Sequence, residues 1–452
     1  MAVEYQIGLR PVNISIETRT KGSQALSGST FSIDYFEDIL EPVVSMQITL
    51  MGSYNLLSEL ALQGGEKVNV ELELGSGTFV KEMYLVKASS GDSQRQTAST
   101  ILHLTSYHSL VNEGTRCTKR YSDTVPIDKH VESILKNILK VPDDKIEKIE
   151  QTSNTYGFIG NMRKPLEVCQ WLCPKGISAY GVSGVSGDVG TMIGQAKGTA
   201  GFFFYENADG FHFRSIDSLV SDTRIQDNSA DAEDVFVYES KGFGGIDANL
   251  LENNFQIINH YMDRNVDVKK AFAIGLYKNV SYIWDSLHHR ASYYGYNFKD
   301  ELGDSHLGQD DIHDPSSLIS EIATRPTRVI TRITDHGVLD KDGIHQAKKE
   351  SGRDTADMAK SFSRYNLLFT QALNILVPCN LDLKVGNVIK CEFPRVQEGQ
   401  SREIDLSLSG YYIIKEVRHH IEVGEVTTSL KLIRDSYGFK IPDSTSSDVA
   451  LT

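Results

Sequence analysis

The chain has 452 residues, of which 40% are hydrophobic and 23% charged, with 46 Lys and Arg against 60 Asp and Glu for a formal charge of −14. Those are globular proportions, with length for about three domains. The acidic balance argues against a dedicated nucleic-acid-binding face, which needs clustered Lys and Arg, but is compatible with a pore along which a polyanion slides. In chain order, the first hundred residues alternate. Val12, Ile14 and Ile16 face one way, as do Val44, Met46, Ile48 and Leu50, and then Val68, Val70, Leu72 and Leu74. Period two over several runs predicts antiparallel strands with one buried face. Between the second and third runs, Leu56, Leu57, Leu60 and Leu62 recur at helical spacing before Gly64-Gly65, which predicts a short helix with a glycine stop. A turn at Ser90-Gly91-Asp92 leads into the next strand.

The character then changes. Over residues 125–141, Pro126 fits the first turn of a helix whose apolar stripe is Val131, Ile134, Leu135, Ile138 and Leu139. A second helix fits residues 165–173, ended by Pro174 and Gly176. Residues 180–201 are rich in Gly, Ser and Ala and read as a mobile loop; the Lys-Ser ending of a phosphate-cradling Walker loop is absent. Two apolar runs flanking Asn207-Ala208-Asp209-Gly210 predict a hairpin from Phe202 to Ser215. Phe255 and Ile257 begin a strand, and alternation returns at Leu367, Phe369, Leu373, Ile375 and Val377. The polar stretch between them reads as an insertion of helices and loops. Residues 439–452 read as a flexible tail.

The start and end of the chain repeat each other. Gly65-Glu66-Lys67-Val68, Tyr84-Leu85-Val86-Lys87 and Thr100-Ile101-Leu102-His103-Leu104 are echoed by Gly386-Asn387-Val388-Ile389, Tyr412-Ile413-Ile414-Lys415 and Thr428-Ser429-Leu430-Lys431-Leu432. One offset relates Tyr84 to Tyr412, Lys87 to Lys415 and Leu102 to Leu430, so these residues are expected to superpose. A chain that carries one module twice can build a ring with twice as many modules as chains. Few residues separate Leu376 from Val385, so the second copy has no room for the helix predicted near Leu57.

No catalytic, cofactor or metal constellation is expected. The five cysteines, Cys117, Cys169, Cys173, Cys379 and Cys391, are scattered and odd in number, which fits buried free thiols made in a reducing cytoplasm. His288, His289, His306, Asp310, Asp311 and His313 match no standard metal spacing and read as solvated surface. No Gly-x-Ser-x-Gly elbow occurs, and contiguous sequence cannot reveal a glycosidase carboxylate pair. The start, Met1-Ala2-Val3-Glu4-Tyr5, has neither the basic nor the apolar part of a signal peptide, so none is expected. No stretch approaches 18 apolar residues, so no membrane-spanning helix is expected.

Four segments in this order resemble the baseplate hub protein of contractile-tailed, T-even-like bacteriophages. They are Phe31-Ser32-Ile33-Asp34-Tyr35-Phe36-Glu37-Asp38, the helix from Lys164-Pro165-Leu166 to Trp171-Leu172, the hairpin Phe204-Tyr205-Glu206-Asn207-Ala208-Asp209-Gly210 with Phe213-Arg214-Ser215, and Val385-Gly386-Asn387-Val388-Ile389. The resemblance spans residues 5–438 and implies a mainly β (α+β) fold. Two homologous tail-tube-like antiparallel β-barrel domains would be joined by an α/β second domain and an inserted domain. The implied boundaries are 1–115 for the first barrel, 116–235 for the α+β domain, 236–262 with 361–438 for the second barrel, and 263–360 for an inserted helical or loop domain. It implies a homotrimer forming a pseudo-hexameric ring that adapts a threefold cell-puncturing spike to a sixfold tail tube, with DNA passing through unbound. Implied partners are the trimeric central spike, tail-tube or tube-initiator proteins, the tape-measure protein and other wedge proteins of the baseplate. The implied location is the virion tail baseplate, assembled in the host cytoplasm. Asn69, Glu71 and Glu392 are candidates for a non-basic channel wall. Alternatives are the spike protein of a type VI secretion system or related contractile injection machine, and a tail-associated cell-wall hydrolase. The second belongs, in the resembling system, to the spike rather than the hub.

Overall fold

The computed structural model describes residues 13–52, 60–74, 77–90, 98–179, 200–220, 235–240, 255–264, 267–285, 289–297, 307, 320–334, 351–394, 404–405, 407–422 and 425–435. The expectations for residues 53–59, the Gly-rich stretch 180–199, the turn after Ser90 and the tail lie outside them. The first module consists of β1 (Asn13–Thr18), β2 (Gly22–Ala25), β3 (Thr30–Asp38), β4 (Ser45–Gly52), β5 (Lys67–Leu74), β6 (Gly77–Ser90) and β7 (Ala98–Thr105). They lie in the order β3-β4-β7-β6-β5-β1-β2, every pair antiparallel. Alternation puts Ile14, Ile16, Met46, Ile48, Val68, Val70, Met83, Leu85, Leu102 and Leu104 into one core, all at 2% exposure or less. Each such side chain contributes roughly 1.5–3 kcal/mol by leaving water.

The middle section begins with α1 (Tyr107–Gly114), β8 (Arg120–Tyr121) and α2 (Ile127–Ser133), which runs on as a π turn over Ile134–Ile138. Pro126 caps α2 from outside rather than occupying its first turn. After β9 (Ile146–Ile149) and β10 (Phe158–Ile159), α3 (Pro165–Leu172) starts with Pro165 at its first position, where the missing N–H costs nothing. The expected hairpin is β11 (Phe202–Glu206) with β12 (Phe211–Ser215), and β9 adds to it in parallel. Val131, Ile134, Leu135, Leu166, Cys169, Phe202, Phe204, Phe211 and Phe213 share its core.

The second module consists of β13 (Val237–Glu239), β14 (Asn259–Arg264), β18 (Gln371–Pro378), β19 (Val388–Glu392), β20 (Gly410–Glu422) and β21 (Glu425–Arg434). Residues 379–387 cross from β18 to β19 without a helix, as the short spacing requires. The inserted segment departs from its expectation. It holds α4 (Val268–Ile274), β15 (Lys278–Asp285), β16 (Arg290–Asn297), α5 (Ser320–Ala323), β17 (Arg328–Thr334) and α6 (Ser351–Leu368), and the three strands form their own sheet in the order β16-β15-β17. The reason it read as helix and loop is that β15 turns Asn279 and Ser281, fully buried, toward its covered side. Asn279 Nδ2 donates to Ser363 Oγ of α6 at 2.8 Å, so a buried polar pair replaces the expected apolar period. Leu367 likewise belongs to α6 and not to a strand; the alternation begins at Gln371.

Both modules share one 13-stranded sheet, β14-β18-β21-β20-β3-β4-β7-β6-β5-β1-β2, with β19 on β20 and β13 on β19. The fold is mainly antiparallel β, as the alternation leads one to expect. The copies differ at one edge, since β1 runs antiparallel to β5 whereas β13 runs parallel to β19.

Candidate assembly interface

The duplication is visible in backbone hydrogen bonds. In the first module Gly65 N donates to Leu85 O and Leu85 N to Glu66 O; in the second, Gly386 N donates to Ile414 O and Ile414 N to Asn387 O. Both glycines are left-handed, φ 87° and 84°, a conformation that glycine adopts without steric cost. Just beyond, each long strand carries a bulge, between Leu85 and Lys87 in β6 and between Ile414 and Glu416 in β20. These ladders fix the correspondence. Leu102 and Leu430 are equivalent, but Tyr84 corresponds to Ile413 and Lys87 to Glu416. The expected matches of Tyr84 with Tyr412 and Lys87 with Lys415 are therefore off by one. Tyr412 takes the inward place of Met83, and Lys415 takes the bulged place of Val86. A one-residue slip reverses the side-chain faces, and burial decides it: Met83, Leu85, Tyr412 and Ile414 are all buried.

The bulge lets β20 change partners. Residues 410–413 pair with β19, and residues 416–422 pair with β3 of the first module, with Arg418 opposite Phe36, His419 opposite Tyr35 and His420 opposite Asp34. Asp34 Oδ1 accepts from Arg418 Nε at 2.8 Å and from His420 Nδ1 at 2.7 Å. Lys415 reaches Asp38 at 3.1 Å, and Arg418 lies 5.8 Å from the Phe36 ring centre. The seam inside the chain is thus a backbone ladder flanked by ion pairs.

The hairpin tip clasps both modules. Glu37, 3% exposed, accepts from Tyr35 Oη at 2.9 Å and from Val385 N at 3.0 Å. Glu206 accepts from Val44 N at 3.1 Å, Lys81 donates to Ala208 O, and Lys384 bonds Asp209 at 2.7 Å. Burial pushes the carboxyls of Glu37 and Glu206 each up to about 7, against the hydrogen bonds they accept. Burial, then Lys145, holds the Lys81 ammonium below its ordinary value. The tip is shaped by Asn207 Oδ1, which accepts from the N–H groups of Asp209 and Gly210. A side chain at Gly386 would put Cβ 2.1 Å from Tyr205 Oη.

Sequence reasoning singled out the hairpin but missed Glu37, Lys81 and Lys384. One signal was present. Glu37 has the parity of Ile33 and Tyr35, so it is a carboxylate on an apolar face.

Other sequence candidates stand apart from the seam and clasp. Of the histidine and aspartate cluster only His289 is described, exposed beside Trp284. Among the described residues no group of three or more His, Cys, Asp or Glu is gathered to hold a metal, and no helix is long and apolar enough to cross a membrane. The five cysteines are free thiols; Cys117, Cys169, Cys173 and Cys391 are buried and Cys379 is half-buried. Asn69 and Glu71 sit on β5, hydrogen-bonded to Glu17 and Asn13 of β1.

No family model matches the sequence, and no curated protein matches it. Solved structures do match. A tail protein from Neisseria meningitidis superposes with a TM-score of 0.51 at 10% identity, over 94% of this chain and 97% of its own. The 43 kDa tail protein of prophage MuSo2 from Shewanella oneidensis superposes with a TM-score of 0.52 at 9% identity, over 94% of this chain and 99% of its own. At such identity the likeness is one of fold, and it extends over nearly the whole of each chain.

Proposed function

We propose that this chain is a structural ring component of a phage tail, the baseplate hub between tail tube and central spike. The observation that carries the reading is the duplicated module: two copies with matching glycines, bulges and registers, held in one sheet by the β3–β20 ladder. Three chains of two modules present six similar modules, which a threefold spike and a sixfold tube can both engage. The whole-chain likeness in fold to two tail proteins supports a place in a tail, and hence in a virion.

The role is mechanical rather than catalytic. The buried titratable groups at the clasp bond to backbone groups of neighbouring segments. Tube, tape-measure, wedge and spike proteins are the proposed partners, and DNA is proposed to pass through without being bound.

Solution mass is the test, on the pure protein at tens of micromolar and on the protein co-expressed with the products of genes adjacent to its own. A trimer in either preparation supports the ring. A chain that stays monomeric in both contradicts it.

A further inference from the structure

The joint between the two modules has a strand that inserts and an edge that receives it. Within the chain, β3 of the first module inserts, and the part of β20 beyond its bulge receives. Each module has both parts. The ladder of β14 on β18, with His260 opposite Ile375 and Met262 opposite Leu373, repeats that of β3 on β4, with Ile33 opposite Ile48 and Tyr35 opposite Met46. Hence β14 is the inserting strand of the second module. The receiving edge of the first is residues 87–90 of β6, beyond the bulge that matches the one in β20.

Among the described residues, neither has a partner on the outer side: β14 pairs only with β18, and residues 87–90 pair only with β7. Large apolar side chains stand in water there: Tyr261 is 64% exposed, Val86 53% and Ile258 49%. An open strand edge with exposed apolar groups is a pairing site that a soluble protein covers or blunts.

We propose that a second copy of this chain covers them: β14 of one copy adds antiparallel to residues 87–90 of β6 in the next. Met262 then lies opposite Ser90 and Arg264 opposite Ser89, copying Tyr35 opposite His419 and Phe36 opposite Arg418. The joint is head-to-tail, so it propagates from copy to copy until the ring closes. This deepens the ring assembly proposed above and rests on it.

The chemistry of the two joints differs. Tyr261 holds the place that Asp34 holds in the seam within the chain, Ser89 the place of Arg418, and Val86 the place of Lys415. At those three places the joint between copies therefore carries uncharged side chains where the internal seam carries ion pairs. Salt screens exposed ion pairs but does not weaken apolar burial. The association between copies is accordingly insensitive to salt.

Cysteine cross-linking tests the pairing. The double variant Ser89→Cys/Arg264→Cys, oxidised under native conditions, is expected to give covalent multimers on a denaturing gel that collapse with reductant, while each single variant gives none. Native mass of the unoxidised double variant is measured alongside. Multimers in solution that do not cross-link at this pair overturn the proposed joint and leave the ring standing; no multimers either of the pure protein or of the protein co-expressed with the products of adjacent genes overturn both. Tyr261→Asp, a change at an exposed side chain, is expected to weaken association at least tenfold with unchanged thermal unfolding of the monomer. Undiminished association of that variant, or dissociation of the wild type between 0.1 and 1 M NaCl, overturns the apolar joint.

Discussion

On β3, Ile33, Tyr35 and Glu37 point the same way into the protein, and the last is a carboxylate. Its burial is tolerated because the Tyr35 hydroxyl of the same strand and the N–H of Val385, from a distant segment, both donate to it. The carboxyl still binds its proton more tightly than it would unfolded, 4.5 rising to about 7. The linkage then has a definite sign. Below pH 4.5 folded and unfolded states both hold the proton. Between 4.5 and 7 only the folded state does, so stability falls as pH rises, and above 7 the loss is complete. For Glu37 the loss is on the order of 3 kcal/mol, and Glu206 adds in the same direction. Burial holds His212 and His419 down to about 4 and acts in the opposite sense over this window, so the carboxyl contribution is read as a difference: between pH 4.5 and 7 the urea midpoint of Glu206→Gln is expected to fall less, or rise more, than that of the wild type. A slope unchanged by the substitution would show that the clasp carboxyls do not titrate in this window.

Strand β20 is the element that makes one body of two modules. Its Tyr412, Ile414 and Val417 pack in the second core, while Ile421, further along the same strand, packs in the first. The ion pairs beside it are weaker. The Arg418 side chain is 46% exposed, so water screens its bond to Asp34 and the coupling is expected below about 1 kcal/mol. Ile421→Ala, by contrast, leaves a cavity and is expected to cost about 2–5 kcal/mol. Denaturant unfolding of Ile421→Ala and of the Asp34→Ala, Arg418→Ala cycle compares the two. An ion-pair coupling as large as the Ile421 loss would reverse the assignment. The elements legible in sequence were those whose pattern is local: the alternating strands of the first module, Pro165 opening α3, and Asn207 to Gly210 turning the hairpin. The bulge at Lys415 was not legible, because a single extra residue leaves the alternation on either side intact and shifts only its phase. Strand β15 was missed because its inward residues include the polar Asn279 and Ser281, and Asn279 bonds to a helix more than eighty residues away. The ladder between β3 and β20 joins residues near opposite ends of the chain, and no local pattern encodes it. Repetition was visible in the sequence; the way the repeats join was not.

At the scale of the whole molecule, one sheet runs from β14 through both modules to β2 and turns around two apolar cores. The inserted sheet and the hairpin section are extra parts that differ between the two repeats. In a ring they would lie where the sixfold likeness is broken, which is what a threefold partner needs. The net charge of −14 suits a channel through which DNA moves, because each phosphate neutralised by Lys or Arg would release counterions and hold the polymer. The most direct measurement is electron microscopy of the assembled particle viewed down its axis. The expected image is a closed ring of six similar lobes built from three chains, around a hole wide enough for duplex DNA. A particle with a closed centre, or one in which the two modules of a chain do not occupy neighbouring places on one ring, would contradict the account.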